Sequence, residues 1–218
     1  MVTGVQTCAL PILTEYTESM ITTPTTHQEL AAGFPIGKRF KSARVKRSCD
    51  ANFIHLGHEA RADGRWRVYV FADQAAPVVD GSVGSGAAGG SAGGESKVAA
   101  LAAWLESDPA SPLVAYRREG EDPDALVELS VIYQQEHKEF AFPDVPKVFR
   151  PHVGAFDLEY VEKIYATLPE EDIFEAREIS RDGAVVVVRP DQYVSGIFPL
   201  DAHSEIGDYF AGVFEPVK

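Results

Sequence analysis

The stretch RWRVYVFA, Arg65–Ala72, decides the architecture. Side chains alternate along a strand, so Val68, Val70 and Ala72 fall on one face and Tyr69 and Phe71 on the other. A strand apolar on both faces has no side to offer water and belongs in the middle of a sheet. Upstream, Asp63-Gly64 is a turn signal between this run and a second β-rich run, Asn52–Glu59, and Lys38–Arg47 reads as a further extended strand. Downstream, Glu95–Ser107 (ESKVAALAAWLES) sets Val98, Leu101, Ala102 and Leu105 at the i, i+3, i+4, i+7 spacing of a helix, which Asp108-Pro109 ends. Leu126–Tyr133 (LVELSVIY) is a strand with Val127, Leu129, Val131 and Tyr133 on one side. Pro143, Pro146 and Pro151 keep the next segment irregular. Asp157–Tyr165 is predicted as a short helix that turns Leu158, Val161 and Tyr165 inward. Ala184–Val188 (AVVVV) is a buried strand, and Pro190-Asp191-Gln192 turns it into an antiparallel partner, Tyr193–Leu200. Asp201–Phe214 closes as a helix with Asp201 as N-cap and Ile206, Phe210 and Val213 inward.

From residue 65 the order is strand, helix, strand, helix, strand, strand, helix. That is the order of an α/β, thioredoxin-like fold, a mixed central sheet flanked by helices. Redox proteins of that fold carry a C-x-x-C pair where the first strand enters its helix. Here the junction is the Gly/Ser loop Gly81–Gly94, GSVGSGAAGGSAGG, which contains no cysteine. Cys49 stands upstream and alone, a structural or incidental thiol, so redox catalysis is excluded for this fold. Gly84-Ser-Gly86-Ala-Ala-Gly89 satisfies G-x-G-x-x-G, but that pattern cradles a pyrophosphate only when a strand runs straight into it and a helix starts at its last glycine. Neither condition holds, and Gly94-Glu95-Ser96-Lys97 lacks the glycine that precedes the lysine of a phosphate loop. His55 and His58 are a close pair, but on a strand they would point to opposite faces, which suits shared metal ligation poorly. The carboxylates are scattered. No catalytic, cofactor-binding or metal residue is assigned.

A chain of 218 residues is one large domain, or one domain with an appendage, and at this size it buries roughly 70% of its unfolded surface without disulfides or metals. The net charge of −13 argues against a nucleic acid or an anionic membrane as partner. One basic run dissents, Gly37–Arg47, which reads either as an exposed strand with solvated side chains or as a contact surface for an acidic neighbour. Two cysteines, Cys8 and Cys49, build no framework, which fits a cytoplasmic protein. No apolar run approaches the ~18 residues needed to span a membrane.

Several stretches together carry a resemblance. They are Gly37-Lys-Arg-Phe-Lys-Ser-Ala, His55-Leu-Gly-His58, Arg61-Ala-Asp-Gly-Arg-Trp-Arg67 with Phe71-Ala-Asp73, Asp172-Ile-Phe-Glu-Ala-Arg177, and Val188-Arg-Pro-Asp-Gln-Tyr-Val194. From about Leu30 to the C-terminus the chain resembles the C-terminal domain of the phenol hydroxylase family of FAD-dependent aromatic monooxygenases, leaning toward its 3-hydroxybenzoate 4-monooxygenase branch. The resemblance implies a thioredoxin-like domain without redox cysteines that helps hold a homodimer together. It also implies that FAD, NADPH and the phenolic substrate belong to preceding FAD and substrate domains, so that this chain binds none of them. The Gly/Ser loop and the charge of the Lys38–Arg47 run depart from the family pattern. Val2–Ile12 (VTGVQTCALPI) back-translates to DNA that resembles a common sequencing-library adapter. The expected division is therefore an adapter-derived segment over residues 1–12, a linker or tail of the missing domains over 13–34, and a thioredoxin-like domain over 35–218. The alternative is a stand-alone thioredoxin-like binding or assembly module without redox activity.

Overall fold

Every residue from Trp66 to Phe71 is buried, and the strand they form lies inside the sheet, as apolar side chains on both faces require. The structure, a computed structural model, describes residues 14–77 and 96–215. The Val2–Ile12 segment, the Gly81–Gly94 loop with its Gly84–Gly89 match, and Cys8 lie outside the described residues. In chain order the strands are β1 Arg44–Arg47, β2 Phe53–His55, β3 Trp66–Phe71, β4 Val127–Tyr133, β5 His152–Val153, β6 Leu158–Glu159, β7 Ile164–Ala166, β8 Ala184–Val188 and β9 Val194–Phe198. The helices are α1 Lys97–Ser107, α2 Pro112–Ala115, α3 Ile173–Ala176 and α4 His203–Val213.

β3 pairs in parallel with β4, from Trp66 opposite Val127 to Phe71 opposite Ile132. On its other side it pairs antiparallel with β8, which pairs antiparallel with β9. The order β4-β3-β8-β9 with these directions is the thioredoxin-like sheet. Three more strands extend it past β4: β7 in parallel, then β1 and β2 antiparallel, giving β2-β1-β7-β4-β3-β8-β9. β5 and β6 form a separate two-stranded hairpin.

One face of the sheet packs Val68, Val70, Val127, Leu129 and Val131 against Val98, Leu101, Ala102 and Leu105 of α1 and Ile206 and Phe210 of α4. The helix periodicity of α1 is therefore realised as a buried stripe, and Ser96 caps it, its hydroxyl accepting from the Ala99 N–H at 3.3 Å. The other face carries Tyr69, Phe71, Ile132, Val186 and Val188. Among the described residues its one α-helical cover is the four-residue α3, with the 3-10 turn at Leu56 beside it. The rest of its cover is the chain around Phe34 and Phe40, stacked on each other at 4.6 Å between ring centroids, with Phe40 stacked on Tyr69 at 4.7 Å.

The structure corrects four local expectations. Asp157–Tyr165 is not a helix: Leu158 is 66% exposed on β6 while Tyr165 is buried on β7. The helical spacing is a coincidence of sequence, because β7 takes its conformation from β4 and β1, both remote in sequence. Asp63-Gly64 makes a turn, with Gly64 at φ +81°, but it joins no hairpin, since β2 pairs with β1 at the far side of the sheet from β3. Asp201 does not cap α4; the helix starts at His203 with Ala202 at the N-cap and no side-chain cap. The stretch 14–34, polar in composition, packs against the domain. Ala31 and Phe34 are fully buried, and the Thr23 N–H donates to the Ser195 carbonyl at 2.8 Å.

Candidate functional site

The junction where this fold can place redox chemistry is here a capped helix end. Asp73, two residues past β3, accepts a hydrogen bond from the Lys97 N–H through Oδ2 at 2.8 Å. A carboxylate at a helix N-terminus is favourable because the first N–H groups are unpaired and the helix dipole is positive there. The same carboxylate repels any second anion. Cys49 lies outside this junction, in the turn after β1; partial burial, then the neighbouring Asp50 carboxylate, push its thiol pKa up. A thiol held protonated is a poor nucleophile.

His55 and His58 correct the expectation of opposite faces. The strand stops at His55, a single 3-10 turn over Leu56–Glu59 follows, and the two rings lie 5.0 Å apart. Among the described residues no group of three or more His, Cys, Asp or Glu is placed to hold a metal ion.

Charged side chains converge where β3 and β4 begin. Arg67, 2% exposed, pairs with Asp63 at 2.7 Å and donates to the Arg65 carbonyl at 2.8 Å. Arg65 pairs with Asp124 at 2.6 Å, and Glu128 receives Lys163 at 3.2 Å and the Arg67 Nε at 3.5 Å. Burial pushes the Asp124 carboxyl up, against the pull of Arg65; on Asp63 burial acts the same way, but the hydrogen bonds from the Arg65 N–H and Arg67 outweigh it and the carboxyl stays low. In this half-buried network each charge is answered by another, and because desolvation offsets the Coulombic gain it adds little net stability. It forms one side of a cleft of about 800 Å³ between α1–α2, the start of β4 and the base of the β5–β6 hairpin. Leu105, Leu113, Val114, Leu129 and Val148 are among its apolar lining.

The segments that carried the family resemblance act as fasteners. Gly37 has φ +81°, and a Cβ there would lie 2.0 Å from the Tyr16 carbonyl oxygen. Asp172 caps α3, accepting from the Phe174 N–H at 2.9 Å and the Thr167 hydroxyl at 2.8 Å, and pairs with Arg181. Arg177 donates to the carbonyls of Lys41 and Ser42. Arg189, buried at the end of β8, pairs with Asp191 and lies 4.3 Å over the Tyr16 ring. The basic run is answered in part within the chain, by Lys38 with Glu15 at 3.3 Å, Arg44 with Glu171 at 3.2 Å and Arg47 with Asp50. Arg39 bonds instead to the Gln192 side chain and Lys46 lies over the Phe53 ring, so among the described residues part of the run's charge has no carboxylate partner.

Two surfaces escaped the sequence reading. The outer strand β2 exposes Phe53, 59% accessible, with Arg44 and Lys46 over its ring. The β5–β6 hairpin exposes Phe156 at 86% and Leu158 at 66%. Its signal was Gly154-Ala-Phe-Asp157: Gly154 and Asp157 both take positive φ, as a tight turn requires.

Comparison with known proteins adds the following. The chain is 40% identical to a 3-hydroxybenzoate 4-monooxygenase of Comamonas testosteroni over 90% of its length, covering 29% of that protein. It is 29% identical to an FAD-dependent monooxygenase of Aspergillus terreus over 89% of its length, and 25% identical to a phenol 2-monooxygenase of Aspergillus fumigatus over 84%. It spans less than a third of the length of each of these relatives. Among solved structures, a member of the Sco family of cytochrome c oxidase assembly proteins aligns over 80% of this chain and 92% of its own at 8% identity and a TM-score of 0.36. Among the described residues no helix is long and apolar enough to cross a membrane. Residues 14–218 match the family described as phenol hydroxylase, C-terminal dimerisation domain, and the chain belongs to that family.

Proposed function

We propose that this chain is the homodimerising C-terminal part of a longer cytoplasmic aromatic monooxygenase and performs no chemistry itself. The observation that carries this reading is a family match over nearly the whole chain, together with relatives more than three times as long. The whole protein is read as a 3-hydroxybenzoate 4-monooxygenase or phenol 2-monooxygenase, in which FAD supplies the oxygen chemistry with O₂ and NADPH. Among the described residues the site does not fit FAD: the N-terminus of α1, where a pyrophosphate would sit, is already held by the Asp73 carboxylate. Their part is mechanical. A sheet covered on both faces presents a rigid outer surface at a fixed angle to whatever precedes it. In the same reading residues 1–12 are adapter-derived, and 13–34 lead in from the preceding domains and pack onto the thioredoxin-like domain of residues 35–218.

The test is to purify the 218-residue chain and, separately, the product of the intact gene. The short chain is expected to be colourless after dialysis and to have twice its monomer mass in solution. The full product is expected to be yellow and to consume NADPH with 3-hydroxybenzoate or phenol. Stoichiometric flavin absorbance in the short chain would refute the division of labour. A short chain that stays monomeric at high micromolar concentration would refute its dimerising role.

A further inference from the structure

A two-fold dimer needs one surface that carries both a projection and the hole that receives it, because the same patch faces itself across the axis. The β5–β6 hairpin and the cleft beside it meet that requirement. His152 and Glu159, at the base of the hairpin, line the cleft, whereas its tip does not. The tip carries Phe156 and Leu158, two of the most exposed large apolar side chains among the described residues. The base is anchored: Arg150 pairs with Glu159, the Tyr160 N–H donates to the Pro151 carbonyl at 2.8 Å, and the Gly154 N–H donates to Asp122 at 3.0 Å. A projection held this firmly, with an aromatic ring in water, is built to be covered. The cleft offers matching chemistry. Val114, on α2, is 42% exposed at its edge, and about 800 Å³ is ample for a phenyl ring and an isobutyl group. Arg117 and Lys147 line it and make no ion pair among the described residues, while Asp157 on the tip is 85% exposed.

The geometry points to an arm exchange between two copies of this chain: the tip of each hairpin, Phe156 and Leu158, seats in the partner's cleft against its Val114 wall, with Asp157 facing Arg117 and Lys147. This rests on the dimerising role proposed above and names the surface that performs it. The apolar tip is removed from water on contact, and the paired charges fix which way round the copies meet.

The experiment compares the full chain with Phe156→Asp, Leu158→Asp and Met20→Asp, the last an exposed apolar side chain remote in sequence from the hairpin. Light scattering reads mass across a dilution series and circular dichroism reads the fold. Phe156→Asp and Leu158→Asp are expected to weaken the dimer by about tenfold or more with the fold intact, and Met20→Asp to leave it unchanged. In a background with Cys8 and Cys49 replaced by serine, an equal mixture of Phe156→Cys and Val114→Cys chains should form a disulfide-linked dimer that neither forms alone. Two outcomes would overturn the exchange while leaving dimerisation standing: a dimer indifferent to both hairpin substitutions, or Phe156→Cys cross-linking by itself, which is a tip-to-tip contact. A wild-type chain that is monomeric throughout would overturn the dimerising role first and the exchange with it.

Discussion

Glycine at position 37 is fixed by two separate demands. Its φ of +81° lies where a side chain is strained, and the space its Cβ would need is taken by the Tyr16 carbonyl. Gly120 has nearly the same φ, +82°, but nothing within 4 Å of a Cβ. The pair separates conformational strain from steric exclusion. Gly120→Ala should cost about 1 kcal/mol. Gly37→Ala should cost about 3 kcal/mol or more, because the backbone must also shift and the Tyr16 N–H to Gly37 carbonyl bond of 2.9 Å is put at risk. Urea midpoints of the two variants measure the difference, and equal losses would mean that the Tyr16 segment is not held against the domain. Asp73 makes the complementary point about chemistry. Where other members of this fold place a reactive sulfur, a short acidic side chain spends one of its oxygens on a helix terminus.

The elements differ in how far their own sequence defines them. α3 is only four residues long, too short to show a period, and its existence depends on Asp172, which closes its first turn and ties it to Thr167 and Arg181. Asp172→Ala should therefore cost about 2 kcal/mol, the upper range for a helix cap because Arg181 loses its partner too, whereas Asp172→Asn should keep most of the cap. Denaturant unfolding gives the totals, and hydrogen exchange at the Phe174 and Ala176 amides shows whether the loss is local; unchanged protection there would contradict the capping role. β3, β4, β8 and α1 were legible in the sequence because alternation and the 3.6-residue period are local properties. β1 and β2 fall inside the runs read as extended at Lys38–Arg47 and Asn52–Glu59, though not their bounds or their place in the sheet; β7 was missed, since its partners lie far along the chain and three residues carry no pattern. The hairpin was misread for the opposite reason. Leu158, Val161 and Tyr165 make a convincing helical stripe, and only the two positive-φ residues beside it disclose the turn. The cleft could not be read at all, as it is assembled from α1, α2, the start of β4 and the hairpin, which meet only in three dimensions.

At the scale of the whole molecule the two edges of the sheet are unlike. Beyond β2 no further strand is described, whereas β9 is sealed by the chain between Tyr16 and Phe40. The Gly37 N–H donates to the Val194 carbonyl and the Val194 N–H to the Lys38 carbonyl, both at 2.9 Å, and the Ser195 hydroxyl donates to the Ile21 carbonyl across 174 positions of sequence. A chain shortened to end at Asp191 should leave that seal without its seam. Trypsin should then cut within Lys38–Arg47 at early times, where the intact chain resists; equal cutting of both would show that β9 does not secure the segment. The same stitch orders events during synthesis. A ribosome releases Tyr16–Phe40 long before Val194 leaves the exit tunnel, so the stitches from this segment to β9 form late, and each carries the entropic penalty of closing a long loop. A nascent chain stalled just before β9 would thus hold Tyr16–Phe40 loosely, and a quality-control protease would find its opening far upstream of the stall.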